Sequence, residues 1–159
     1  WPSGPEKCAE EALAAMRDTV ITEVGANNIA AIIAEPIQGE GGFIVPPAGY
    51  LKAVQELANE QGIVFIADEI QTGFGRTGAM FACEHEGVVP DLITTAKALG
   101  GGMPLSAVTG RAELMNAVPT GVSAVPMPAT QSRAPRRSVL CKPSTASSWS
   151  VGLRRSRLR

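Results

Sequence analysis

The sequence predicts an α/β fold, a mainly parallel sheet with flanking helices, and three features carry that expectation. Residues 29–34, 63–67 and 92–95 are short, predominantly apolar runs of strand length, the pattern of strands buried on both faces. Between the first two lies a helical stripe, Tyr50, Leu51, Val54, Leu57 and Ala58. Strand, helix, strand in that order implies a right-handed crossover and parallel pairing. Ionisable residues then stand where the strands stop: Glu35, Asp68 and, two residues past its strand, Lys97.

Each element has local punctuation. Ser3, Pro5 and Glu6 resemble a helix start, with an N-cap, a first-turn proline and a capping-box acid. The helix is expected to run to about Val24, with Leu13, Met16, Val20 and Val24 on one face. Residues 25–28 end it. Pro46-Pro47 opens the second helix and Gly62 closes it. A fourth strand is expected over 105–109 and a short helix over 111–118, with Met103 and Met115 in the core.

The net charge of −1 conceals an uneven distribution. All 15 acidic residues precede position 122, whereas residues 122–159 hold eight arginines and lysines and no acid. That tail is rich in Ser, Pro, Ala and Arg and shows no apolar period, so residues 1–121 form the expected domain. Cys8, Cys83 and Cys141 are odd in number and widely spaced, and His85 has no clustered partner. Neither a disulfide framework nor a metal site is expected, and a reduced cytoplasmic setting fits. No apolar run approaches the roughly 20 residues that span a bilayer, so no membrane partner is expected. The chain opens on Trp1 without signal-peptide character, and it is expected to be a fragment lacking its true N-terminus.

In open parallel sheets, ligands bind beyond the carboxyl ends of the strands. A carboxylate and a lysine at that edge are costly to bury unless paired. An ion pair would account for them, but a cofactor accounts for both identities. Pyridoxal phosphate takes a lysine amine for its Schiff base and an acid against its pyridine nitrogen. The acid keeps that nitrogen protonated, and the released lysine moves the substrate proton.

Three stretches carry a closer resemblance. Residues 34–42 read Ala-Glu-Pro-Ile-Gln-Gly-Glu-Gly-Gly, and residues 67–78 begin Ala-Asp-Glu-Ile-Gln-Thr-Gly. Residues 90–97 read Pro-Asp-Leu-Ile-Thr-Thr-Ala-Lys. In order and spacing they resemble the class III aminotransferases, over about residues 1–121. The resemblance implies part of the large domain of the fold-type I transferase fold, with pyridoxal 5′-phosphate as cofactor. It makes Lys97 the Schiff-base lysine, Asp68 the partner of the pyridine nitrogen, Gln71 the donor to the phenolic oxygen and Ile70 a contact of the ring face. Glu40 matches a glutamate that pairs with a distant arginine and gates two substrates, and Glu35 belongs to the same active-site loop. The implied reaction moves the amino group of 4-aminobutyrate, or a similar ω-amino acid, to 2-oxoglutarate in a homodimer. Acetylornithine or ornithine is the alternative donor, and a non-catalytic decayed gene product the alternative class.

Gly73, Gly75 and Gly78 spell the dinucleotide fingerprint, but Asp68-Glu69-Ile70-Gln71 intervenes after the strand and no helix start follows, so that reading is set aside. His85 is expected at the surface. A basic tail would suggest nucleic acid, yet another explanation fits better. Re-read one nucleotide out of register with permitted codons, residues 122–133 give Leu-Gly-Gly-Thr-Tyr-Ala-Gly-Asn-Pro-Val-Ala, which resembles the family's next motif. Residues 122–159 are therefore expected to be a non-native, disordered frameshift product, with no nucleic-acid partner. Its re-read threonine is one that, in the family, reaches the cofactor phosphate of the neighbouring subunit.

Overall fold

A computed structural model describes residue 4, residues 7–117 and the backbone of two strands, Val139–Pro143 and Trp149–Leu153. Helix α1 spans Cys8–Asp18 and runs on through a π-helical turn, Thr19–Glu23. Strand β1 is Ala31–Ala34, helix α2 Tyr50–Glu60, β2 Val64–Asp68, β3 Leu92–Thr95, β4 Ala107–Gly110 and helix α3 Ala112–Ala117. Ser3, Pro5 and Glu6 lie outside the described residues, but the helix they were expected to open starts later, at Cys8, with Lys7 at its N-cap and no side-chain cap.

The strands lie side by side in chain order. β1 pairs with β2 and β2 with β3 in parallel, whereas β3 and β4 are antiparallel. The reversal follows from the length of the connection. Residues 96–106 are too few for the helical crossover that a parallel pair needs. The sheet is thus mixed, with its parallel part at β1–β3.

Burial corrects a second expectation. Register places Ile32, Ala34, Phe65, Ala67, Ile93, Thr95, Ala107 and Thr109 on one face. There Val20, Val54, Leu57 and Ala58 pack with Phe65 in one core, with Leu13 and Met16 of α1 against it. On the other face Ile33 is 59% exposed. The strands are therefore not buried on both faces, because the packed core of α1 and α2 lies on one side alone. Met103 is likewise not in the core: it is 60% exposed on the glycine turn after Gly100. Met115 is half-buried.

Polar contacts tie distant segments to this core. Gly49 begins α2 without a capping side chain, and Glu86 supplies the cap from 37 residues away, accepting the Gly49 and Lys52 amides at 3.1 and 3.3 Å. Carboxylates suit helix N-termini because the first amides lack intrahelical partners. Asp91 accepts the Phe65 amide at 2.9 Å and an Arg111 Nη1–H at 2.9 Å. This fixes the starting ends of β2 and β3 against the end of β4.

Beyond residue 121 the sequence reading placed no element, and the structure differs. Strand β5 (Val139–Pro143) and strand β6 (Trp149–Leu153) form an antiparallel pair that joins β4 through Thr109↔Cys141. This corrects the reading that the tail has no apolar period: Trp149, Val151 and Leu153 alternate with period two, as a strand requires. The disorder expected for the rest of that tail falls outside the described residues. Among the described residues, no helix is long and apolar enough to cross a membrane and no cluster of His, Cys, Asp and Glu fits a metal.

Phe65 is fully buried at the centre of the core. Phe65→Ala should lower stability by about 3–5 kcal/mol through the cavity it leaves, read as a reduced urea midpoint by circular dichroism.

Candidate active site

Parallel register gathers the strand ends. Ala34 pairs with Ala67, and Asp68 with Thr94, so Glu35, Asp68 and Lys97 all emerge at the carboxyl edge of β1–β3. Lys97 opens a 3-10 turn, Lys97–Gly100, with φ +41°. A left-handed lysine is a strained residue, and such strain concentrates at functional sites.

The structure brings three of the expected residues into one cluster. Lys97 Nζ lies 3.8 Å from Glu40 Oε1, and Gln71 Nε2 donates to the same oxygen at 3.0 Å. The Lys97 side chain is 40% exposed and that of Glu40 91%, so the ion pair contributes little by itself. Its value is positional: it marks where the amine sits. Glu40 is carried by a loop closed through Gln38 and Ile44, whose amides and carbonyls exchange two bonds of 3.0 Å. Glu35 stands apart from the cluster. Its Oε2 accepts the Gly39 amide at 2.7 Å and so braces the loop from within.

Asp68 is half-buried on the open face, and its Oδ1 accepts the Ile70 amide at 3.1 Å. Its other oxygen has no partner among the described residues. Across the register, Thr94 Oγ1 is buried and makes no hydrogen bond among them either. Buried polar atoms are usually satisfied, so an unsatisfied hydroxyl paired in register with a carboxylate fits a polar group that binds between strand and loop. Ile70 and Gln71 follow in the turn, both half-buried.

One residue of this site was not singled out from the sequence. Glu69 is 0% exposed and forms no ion pair among the described residues. It accepts the Thr72 hydroxyl, the Ala82 amide at 3.0 Å and the Cys83 amide at 2.8 Å. A signal was available: strand alternation puts residue 69 on the same face as Phe65 and Ala67, towards the core. Burial, and then the Glu69 carboxylate, push the Cys83 thiol well above its usual value.

No helix opens on Gly73, Gly75 and Gly78; turns run through them until the 3-10 helix Ala82–Glu86. The dinucleotide motif therefore lacks the helix N-terminus that it needs. His85 is exposed and bonds Thr77 at 3.1 Å.

A family model described as Aminotransferase class-III matches residues 3–127. The chain belongs to that family. Class-III aminotransferases depend on pyridoxal phosphate, and the donor set at this edge, an amine, a carboxylate and an amide with one unsatisfied hydroxyl, suits that group. The chain is 65% identical over 102 residues to the 4-aminobutyrate aminotransferase of Mycobacterium tuberculosis, covering 62% of this chain and 23% of the relative. It is 50% identical over 120 residues to the leucine/methionine racemase of Thermococcus litoralis, covering 74% and 27%. Among solved structures, the ornithine aminotransferase of Toxoplasma gondii, with partial occupancy of PLP at its active site, superposes with a TM-score of 0.66. It is 41% identical and covers 71% of this chain and 26% of that one. The chain thus spans about a quarter of the length of the curated relatives it matches.

In this class-III chain the close approach of Gly39 to Gln71 gives a local test. A Cβ on Gly39 would stand 2.7 Å from Gln71 Cγ, closer than real contacts allow. Gly39→Ala should displace the Gln71 side chain and loosen its bond to Glu40, seen as a shift of the Gln71 side-chain amide resonances without loss of the fold.

Proposed function

We propose that this edge is the pyridoxal phosphate site of an aminotransferase that moves the amino group of 4-aminobutyrate, or a similar ω-amino acid, to 2-oxoglutarate. The observation that supports it is the convergence of Lys97, Gln71 and Asp68 at one carboxyl edge in a class-III chain. Bound pyridoxal phosphate supplies the electron sink for charge released at the substrate carbon. Lys97 Nζ holds the cofactor and then moves the substrate proton. The Asp68 carboxylate keeps a proton on the pyridine nitrogen, the Gln71 amide donates to the phenolic oxygen, and Ile70 covers a ring face. Glu40 gates the substrates, and Glu35 supports the loop that carries it.

The 4-aminobutyrate reading rests on the mycobacterial relative. Ornithine is the second reading, favoured by the Toxoplasma gondii structure. The racemase relative fits the same core chemistry, since both reactions begin with a proton leaving the substrate carbon. The working enzyme is a cytoplasmic homodimer in this reading, without nucleic-acid or membrane partners. Residues 122–159 are read as out of frame on the strength of the codon re-reading of residues 122–133; the family match itself ends at residue 127. Nucleotide sequencing of the gene across codons 120–122 checks this, and one uninterrupted frame there would overturn it.

In the full-length enzyme, borohydride treatment with pyridoxal phosphate should fix the cofactor on the peptide containing Lys97 and on no other at stoichiometric dose. Lys97→Ala should abolish that adduct. Asp68→Asn should keep it but lower turnover of the intact enzyme by about 10²-fold or more. Recovery of the adduct on another lysine would sink the assignment.

The 159-residue chain alone should not turn over, because it spans about a quarter of its relatives' length. Glutamate formed from 4-aminobutyrate and 2-oxoglutarate at about 1 per second or faster would contradict this.

A further inference from the structure

We propose that Glu69 is a positioning residue of the site, holding Asp68 and Gln71 at the sheet edge by clamping their turn to the start of the 3-10 helix Ala82–Glu86. The proposal rests on the cofactor reading above, and it stands on the contacts of one side chain. A buried carboxylate without a cation is strongly disfavoured unless donors satisfy it. Here Oε2 accepts the Thr72 hydroxyl and the Ala82 amide, while Oε1 accepts the Cys83 amide. Those two amides are the first of the 3-10 helix, which have no partner within it.

The backbone of Glu69 is fixed as well. Its N–H donates to the Thr94 carbonyl at 3.0 Å, continuing the β2–β3 ladder one step beyond Asp68. Its carbonyl accepts the Gly73 amide at 2.8 Å and closes the turn. That turn is tight: a Cβ on Gly73 would lie 2.8 Å from the Glu69 carbonyl oxygen. Successive strand residues point to opposite faces. Seating Glu69 in the core therefore sends Asp68 outward, where its Oδ1 takes the Ile70 amide. Thr72, the hydroxyl donor, directly follows Gln71. Glu69 is thus bonded directly to the turn that carries both site residues.

A residue of purely structural importance would lower stability and nothing else. A positioning residue also changes the environment of the cofactor on Lys97, which its absorbance reports. The experiment uses the 159-residue chain with Thr72→Val, Thr72→Ser and Glu69→Gln, and pyridoxal 5′-phosphate as probe. Thr72→Val removes one donor and leaves the carboxylate, so it keeps the test open should Glu69→Gln fail to fold.

The pH midpoint of the visible band of Lys97-bound cofactor should shift by roughly half a unit or more in Thr72→Val. The borohydride-fixed yield on the Lys97 peptide should fall severalfold. Thr72→Ser should restore both. A lowered urea midpoint with an unchanged pH midpoint and yield would reduce Glu69 to a structural residue and overturn the proposal.

Two readouts need no cofactor: hydrogen exchange at the Ile70 and Gly73 amides, and alkylation of Cys83, which is buried beside Glu69. Both should accelerate about tenfold or more in Thr72→Val, equivalent to weakening local closure by about 1.4 kcal/mol, and return to the parent rate in Thr72→Ser. If the parent chain takes no cofactor on Lys97, the cofactor reading fails while these rates still decide the clamp. Unchanged rates would overturn it.

Discussion

A carboxylate buried without a cation sets the geometry at the end of β2. Glu69 cannot be solvated by water, so its charge is stabilised only if N–H and O–H groups are brought to it. The Ala82 and Cys83 amides and the Thr72 hydroxyl meet that demand. The turn through residues 69–73 and the 3-10 helix Ala82–Glu86 are consequently joined at one point, although 13 residues separate Glu69 from Ala82. Loops of this length between strands are usually mobile. Here the loop has an internal anchor, reinforced by the edge-on contact of Phe74 with Phe81 at 5.7 Å.

The geometry of the edge is tied to that anchor through strand parity. Residues 65, 67 and 69 enter the core, so residue 68 faces out. Parallel pairing with β3 then sets Thr94 opposite Asp68 and delivers Lys97 three residues later. The Glu40 loop reaches the same place from β1, braced by Glu35. Three separate strands thus contribute one residue or loop each, which is how open parallel sheets build sites at their carboxyl edges. The antiparallel turn to β4 leaves the Lys97 turn short and strained, with the left-handed lysine at its head.

Much of this was legible in the sequence because it is local. Apolar runs of strand length, the helical stripe of α2 and the residues at the strand ends are patterns within a few neighbours; β1, β2 and β3 stand where those patterns put them to within two residues, whereas α2 opens at Tyr50 and not at Pro46-Pro47. Asp68, Gln71, Lys97 and Glu40 stand out as candidates in the sequence because their side-chain types and motif spacing are written in order along the chain. The period-two parity of β2 also held the position of Glu69, although a lone acid beside Asp68 reads most simply as part of the motif.

What the tertiary structure alone decided is non-local. Which face of the sheet is covered depends on both helices packing to one side, and an apolar run such as residues 29–34 is the same run whether one face or two are buried. The antiparallel sense of β4 is set by the length of its connection, and the pairing of β5 with β4 by contacts across more than 30 residues. Glu86 caps α2, and Glu69 meets the Ala82 and Cys83 amides, because folding brings together segments that sequence keeps apart. Sequence determined which residues are proposed to carry the chemistry. The fold determined that the lysine amine meets Glu40 and Gln71, since distance in space between side chains on different strands is fixed only by register and packing.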